Sequence, residues 1–435
     1  MGDSLRDEDI ANFLLDLSEQ DDVIYNSSGD ESDHVSDYNN SNSSSSEGDD
    51  FGPGSADVVE NDSDSESDVP LSMLASHPSG RTYKGKDNTI WYKNPARYNV
   101  RTRSENILRN TPGVNLQARD SKSALECFNL FINETMLLEI VTHTNARIRT
   151  IRHGLSCSNE YSYSEITLCE LRAAIGLTYL AGLYKSGRQN LQDLWCNDGT
   201  GIAIFPMTMS LRRFVFIINH LRFDDSSTRE ERQSLDKLAP FRKLFEDFIA
   251  NCQSNYTPFE NLTIDEELVA FRGRCKFRQY LPSKPAKYGI KIFALVDAKT
   301  YYSLNLEIYL GEQPQGPYKV SNKPHDVVDR LVTPISQSGR NITMDNWFTS
   351  YQTFHHLLDH HKLTAVGTMK RNKTCIPEKF RSGNREEYSS LFGFQLNLTL
   401  VSYVPKPRKN VFMLSSLHHD NQIDVETGVK QKPAM

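Results

Sequence analysis

Apolar positions along this chain follow two different periods, and the change between them divides it. Between residues 120 and 255 the spacing is helical. Ala124, Leu125, Phe128, Leu130, Phe131 and Ile132 begin one helix, and Leu137, Leu138 and Ile140 extend or restart it. Ser164 with Glu165 is placed to cap a second, whose stripe is Leu168, Leu171, Ile175, Leu177 and Leu180. Phe214, Phe216, Ile217, Ile218 and Leu221 mark a third; Leu244, Phe245, Phe248 and Ile249, after Pro240, mark a fourth. Such stripes face a core, so no catalytic residue is expected among them.

Further on the period shortens to two. Leu304, Leu306, Ile308 and Leu310 alternate with Ser303, Asn305, Glu307 and Tyr309, the pattern of a half-buried strand. Tyr288 to Val296 is apolar on nearly both faces and predicts a central strand. Val327, Val328, Leu331 and Val332 mark a helix, and the run containing Asp345 a strand. Thr349 or Ser350 can cap a helix with Phe354, Leu357 and Leu358 inward, and Leu363 to Thr368 makes another strand. Three strands, helix, strand, helix, strand is the order of a ribonuclease-H-like core. The expected class is therefore α/β, a mixed sheet with flanking helices, preceded by a mostly helical domain.

Charge separates the ends of the chain. Residues 1–70 carry 21 Asp and Glu against one Arg, a charge of −20, while residues 71–435 carry 35 acids against 48 Lys and Arg, +13. A basic body behind an acidic tail suggests a polyanionic partner for the body. Residues 20–69, rich in Ser, Asp, Glu, Asn and Gly, have little to bury and are expected to be disordered. Within the tail, Leu5, Ile10, Phe13, Leu14 and Leu17 have helical spacing, which suits either a helix that docks on a partner or a solvated one. From residue 79, Arg81, Lys84, Lys86, Lys93, Arg97, Arg101 and Arg103 interleave with Tyr83, Trp91, Tyr92 and Tyr98. That texture fits a nucleic-acid arm, or a linker tethered by its Trp. Seven dispersed cysteines make no zinc spacing and no disulfide framework, and no signal peptide or membrane-length apolar run is seen; a soluble intracellular protein is expected.

The chemistry-bearing residues lie in the second half. Asp265 sits in Leu262-Thr-Ile-Asp-Glu-Glu-Leu-Val-Ala-Phe-Arg-Gly-Arg-Cys275 and Asp345 in Arg340-Asn-Ile-Thr-Met-Asp-Asn-Trp-Phe-Thr-Ser350, each on a strand-like run. Two carboxylates meeting at one sheet surface can hold Mg²⁺ or Mn²⁺, and phosphodiester chemistry uses paired ions about 3.5–4 Å apart. Lys284, Lys287, Lys291, Lys370 and Arg371 lie near these strands and can contact DNA phosphates. Trp347 can stack on an extruded base or anchor the strand end. Asp297 and Asp359 are expected to be bystander surface acids. His355, His356, His360 and His361 fall in two pairs five apart, on a helix surface that admits a metal or simply faces solvent.

With these motifs the chain resembles the piggyBac family of DNA transposases from about Thr111 onward. Leu191-Gln-Asp-Leu-Trp195, Met209-Ser-Leu-Arg-Arg-Phe214, Leu221-Arg-Phe-Asp-Asp225, Asp236-Lys-Leu-Ala-Pro240 and both aspartate motifs carry the resemblance. So do Pro282-Ser-Lys-Pro-Ala-Lys-Tyr-Gly-Ile-Lys291, Val366-Gly-Thr-Met-Lys-Arg-Asn372 and Leu400-Val-Ser-Tyr-Val-Pro-Lys-Pro407. The resemblance implies metal-dependent cleavage and transfer of double-stranded DNA at TTAA sites through hairpin ends, a homodimer, and a nuclear location. It also implies three metal-binding aspartates, of which Asp265 and Asp345 correspond to the first two. The third would follow a run not found before Met435, so cleavage is expected to be lost or crippled. The implied alternative is a non-catalytic DNA-binding, regulatory or scaffold protein whose acidic tail engages a nuclear partner. The domains expected are an acidic tail (1–78), a basic arm with a helical dimerisation and DNA-binding region (79–258), the ribonuclease-H-like core (259–374) and part of a β-rich insertion (375–435). Leu396 to Tyr403 and Val411 to Leu414 are its predicted strands.

Overall fold

The computed structural model describes residues 82–95, 108, 110–152, 164–187 and 189–435. The acidic tail and its apolar-spaced segment, and residues 96–107 of the basic arm, lie outside the described residues. The longer helices are α1 (Ala124–Phe131), α2 (Glu134–Arg152), α3 (Leu168–Leu183), α4 (Leu211–His220), α5 (Arg242–Asn255), α6 (Pro324–Val332) and α7 (Tyr351–Asp359). The strands are β1 (Thr82–Lys84), β2 (Ile90–Tyr92), β3 (Gly113–Val114), β4 (Tyr256–Thr257), β5 (Asn261–Ala270), β6 (Gln279–Tyr280), β7 (Tyr288–Asp297), β8 (Ser303–Ile308), β9 (Asn341–Met344), β10 (Thr364–Met369), β11 (Ser390–Phe394), β12 (Thr399–Lys406) and β13 (Lys409–Ser415).

Capping chemistry sets the helix starts. Ser123 and Glu126 form a capping box on α1, which stops at Ile132; Asn133 Oδ1 then accepts from the Met136 N–H as α2 begins. The apolar run of 124–140 is thus two helices. α3 is capped by Thr167 with Glu170, not by Ser164 with Glu165. The backbone carbonyls of Ser164 and Glu165 instead accept from Arg213 (2.7 and 3.0 Å), whose guanidinium also pairs with Glu170 at 2.8 Å. Leu137, Ile148, Leu171, Leu177, Phe205, Phe214 and Ile217 pack together as the helical core. Each such buried side chain contributes about 1.5–3 kcal/mol relative to exposure.

The period change falls at β4. Beyond it, β5, β7 and β8 make an antiparallel meander, β9 pairs parallel with β5, and β10 parallel with β9. The order β8-β7-β5-β9-β10, with β5 central, is the ribonuclease-H-like sheet. One face is covered by α6 and α7, whose Val327, Val328, Leu331, Phe354 and Leu357 pack with Leu262, Ile264, Phe293, Ile342 and Met344.

The expected boundary at residue 375 is not a break in the sheet. β13 pairs antiparallel with β10, and β12 and β11 follow in the same sheet. β12 begins three residues later than the predicted strand at Leu396. The described part of the basic arm joins this sheet too: β2 pairs with β11 through Tyr92 and Phe394. Trp91 is fully buried, and its Nε1–H donates to the Cys375 carbonyl at 2.9 Å. Here the arm is a tethered ribbon, because an indole with a satisfied N–H is held firmly in a core.

Candidate active site at the ends of the parallel strands

β5 and β9 run in register from Asn261↔Asn341 to Ile264↔Met344. Asp265 is the next residue of β5 and Asp345 the first beyond β9, so the register brings the two backbones to adjacent positions on strands about 4.8 Å apart. Leu262, Ile264, Ile342 and Met344 take the face under the helices, so alternation leaves Thr263, Thr343 and the two acids to the other face. Asp265 is exposed and Asp345 half-buried.

The local backbone holds both acids. Asp265 Oδ1 accepts from the Glu266 N–H at 2.7 Å. Asp345 Oδ1 accepts from the Trp347 and Phe348 N–H groups at 2.9 and 3.4 Å, and the Asp345 carbonyl accepts from Thr349 Oγ1 at 2.7 Å. That turn needs Gly367 on β10: a Cβ there would stand 2.2 Å from Thr349 Oγ1 and 2.8 Å from the Met344 carbonyl. Each acid keeps Oδ2 for a ligand. Hard carboxylate oxygens fit Mg²⁺ or Mn²⁺, but two groups supply a minority of an octahedral shell. Among the described residues, the one set of three His, Cys, Asp or Glu with ligand atoms within 4.8 Å of one another is Asp329, His356 and His361, so no third such side chain joins this pair.

The predicted basic residues divide into two groups. Lys291 does not reach outward. Its Nζ lies 2.6 Å from Glu266 Oε2 and 4.9, 5.5 and 5.3 Å from the ring centroids of Phe293, Tyr309 and Trp347. A lysine enclosed by a carboxylate and three rings braces the site. Lys284 partly shares that carboxylate, 3.5 Å from Glu266 Oε1. Trp347 stacks on Phe293 (5.3 Å, 13°), which makes it an anchor of the strand end. Lys287, Lys370 and Arg371 are exposed, and Arg371 also donates to the Arg381 carbonyl. The sequence reading missed Arg272, Arg274, Lys276 and Arg278, all exposed in the loop from β5 toward β7. Their signal was present: residues 271–287 hold six Lys and Arg and no acid.

Asp297 is fully buried, not a surface bystander. It accepts from the N–H groups of Phe259, Lys299 and Thr300 and from the Tyr256 hydroxyl. Burial raises its carboxyl, but these hydrogen bonds outweigh that and hold its pKa below the ordinary value. Asp359 is exposed, as expected.

A family model described as Transposase IS4 matches residues 123–435, well over half of the chain. A solved piggyBac transposase, in a synaptic complex with hairpin DNA, is 39% identical with a TM-score of 0.69, over 74% of this chain and 66% of that one. The chain belongs to the piggyBac transposase family. Human PiggyBac transposable element-derived protein 5 is 21% identical over 237 residues, 53% of this chain and 44% of its own length. Human PiggyBac transposable element-derived protein 3 is 22% identical over 252 residues, 57% of this chain and 39% of its own. The chain therefore matches less than half the length of both human relatives. In the helical region, piggyBac-like motifs coincide with ion pairs: Arg213 with Glu170, Asp224 with Arg229 and Arg232, and Asp236 with Arg242. Those motifs maintain the scaffold rather than perform chemistry.

Proposed function

We propose that this chain is a transposase-derived protein that binds double-stranded DNA and whose Asp265–Asp345 pair holds a Mg²⁺ or Mn²⁺ ion weakly beside the phosphate backbone. What supports this reading is the parallel register of β5 with β9, which ends one residue before each acid, together with a run, 271–287, of six cations and no acid. Arg272, Lys287, Lys370 and Arg371 contact phosphates, while Lys291 and Trp347 brace the acids from behind. A bound divalent ion would supply Lewis-acid polarisation of a phosphodiester oxygen. Cleavage and transfer at TTAA through hairpin ends is the chemistry of the family. Among the described residues no third His, Cys, Asp or Glu groups with this pair, and two carboxylates alone orient a metal loosely for that chemistry. DNA is bound as a homodimer, in the nucleus, with TTAA-containing transposon ends as the preferred duplex.

The test measures binding to a TTAA-containing duplex across salt concentrations, together with Mn²⁺ affinity and nicking. DNA affinity falls steeply with salt, and Asp265→Asn and Asp345→Asn weaken Mn²⁺ binding while leaving DNA affinity largely intact. Salt-independent binding overturns the DNA reading. Nicking abolished by either substitution overturns the assignment of weak chemistry.

A further inference from the structure

The seam between α6 and α7 gathers a second set of ligand atoms, away from the two aspartates. His325 and Asp329 are four residues apart on α6, and His356 and His360 are four apart along α7 and its C-cap. Each pair therefore shares a helix face. His356 Nε2 and His361 Nε2 both approach Asp329 Oδ1, at 2.5 and 2.9 Å. The ligand atoms of these three side chains lie within 4.8 Å of one another. The rings of His325 and His360 stand 4.7 and 4.6 Å from that of His356. Four imidazoles and one carboxylate thus crowd a single seam on the helical face of the sheet, opposite the face of Asp265.

We propose that Asp329, His356 and His361 form a binding site for a borderline transition metal, Zn²⁺ foremost, that clamps the end of α7 to α6. The donor set is nitrogen and carboxylate oxygen without thiolate, which suits zinc and disfavours magnesium. With zinc bonds of about 2.0–2.2 Å, the atoms now sharing protons at Asp329 need to part by less than about 1 Å to admit the ion. His361 Nδ1 already meets Ser336 Oγ at 2.9 Å, the outer contact that orients a ligating imidazole. The side chains of His361, His356 and Asp329 are 13, 27 and 44% exposed, so an ion can enter a partly desolvated site. A tetrahedral ion takes its fourth donor from His325, His360 or water. The Asp265–Asp345 pair is not involved.

The untagged full chain is titrated with zinc chloride against a chromophoric chelator, and its Co²⁺ form is read by visible absorption. One equivalent of zinc should bind, with no competition from Mg²⁺, and tetrahedral cobalt bands should appear without a thiolate charge-transfer band. His356→Ala and His361→Ala abolish this binding, and Ser336→Ala weakens it about 10–100-fold. Asp265→Asn and Asp345→Asn leave it unchanged, separating this site from the function proposed above. Should an alanine variant misfold by circular dichroism, His356→Gln serves in its place, since the amide retains bulk without the imidazole. Zinc affinity equal in the wild-type chain and the folded histidine variants overturns the proposal, as does a thiolate band in the cobalt form.

Discussion

Arg213 shows how one side chain can bind two elements together. Its side chain is 1% exposed, it lies in the first turn of α4, and it reaches the Glu170 carboxylate and two carbonyls ahead of α3. Breaking such a buried pair from one side costs about 3–5 kcal/mol, because the partners are left without a charge or donor. Arg213→Ala should lose that much in denaturant unfolding, and Arg213→Lys should recover little, since an ammonium cannot span the same acceptors. A loss below about 1 kcal/mol would show that the pair contributes no net stability. Two histidines set a pH response at the same scale. Burial pushes the His220 and His418 imidazoles below their ordinary value, and His220 Nδ1–H donates to the Phe216 carbonyl at 2.7 Å. The unfolded chain therefore takes up protons near pH 6.5 that the native protein refuses. Their contribution is present above about pH 6.5 and is lost as the pH falls from there toward the lower native values. Unfolding measured from pH 8 to 5 should show the decline, and His220→Gln with His418→Gln should flatten it.

At the level of elements, the turn after β9 depends on what β10 leaves out. With Gly367 giving room to Thr349 and the Met344 carbonyl, Asp345 can follow its strand in register. Gly367→Ala forces that turn away, with an expected cost of about 1–3 kcal/mol and weaker Mn²⁺ binding. Full stability and unchanged Mn²⁺ affinity in this variant would contradict the role given to the glycine. Asp297 ends β7 by a different means: its buried carboxylate accepts from the Lys299 and Thr300 N–H groups of the turn that follows and from the Phe259 N–H ahead of β5. Asp297→Ala should destabilise the fold by about 1–3 kcal/mol, since it removes one carboxylate that ties the turn after β7 to the entry of β5 and to the Tyr256 hydroxyl. Calorimetry can check this, and Mn²⁺ affinity should not change in the folded fraction. A loss of Mn²⁺ binding there would make Asp297 a ligand instead of a strut.

Across the whole molecule, the sign of charge matters more than its total. The net −7 conceals a body of +13 that includes the acid-free loop 271–287. Duplex affinity should fall with salt with a slope of about −0.9 per phosphate contact. Arg272→Gln with Lys287→Gln should lessen that slope by about two such contacts. An unaltered slope would move the DNA surface elsewhere on the protein.

What the chain determined by itself was periodic or chemical in kind. Helical and strand periods separated the two regions, and the motifs around Asp265 and Asp345 named the family and the two acids. Periodicity is local, so it survives without knowledge of neighbours. What only the tertiary structure decided was partnership. Lys291 and Arg272 are equally cationic in the sequence, yet one is enclosed by Glu266 and three rings while the other is exposed. Ser164 ahead of α3 is held through its carbonyl by Arg213, 49 residues beyond it, while the cap itself is the local box of Thr167 with Glu170. Asp297 became a buried strut because Phe259, at the far end of a hairpin, delivers an N–H to it. The meeting of His356 and His361 with Asp329 depends on two helices packing across one sheet face. Apart from that local cap, each of these outcomes depends on residues distant in sequence arriving at one point, and no local pattern encodes that arrival.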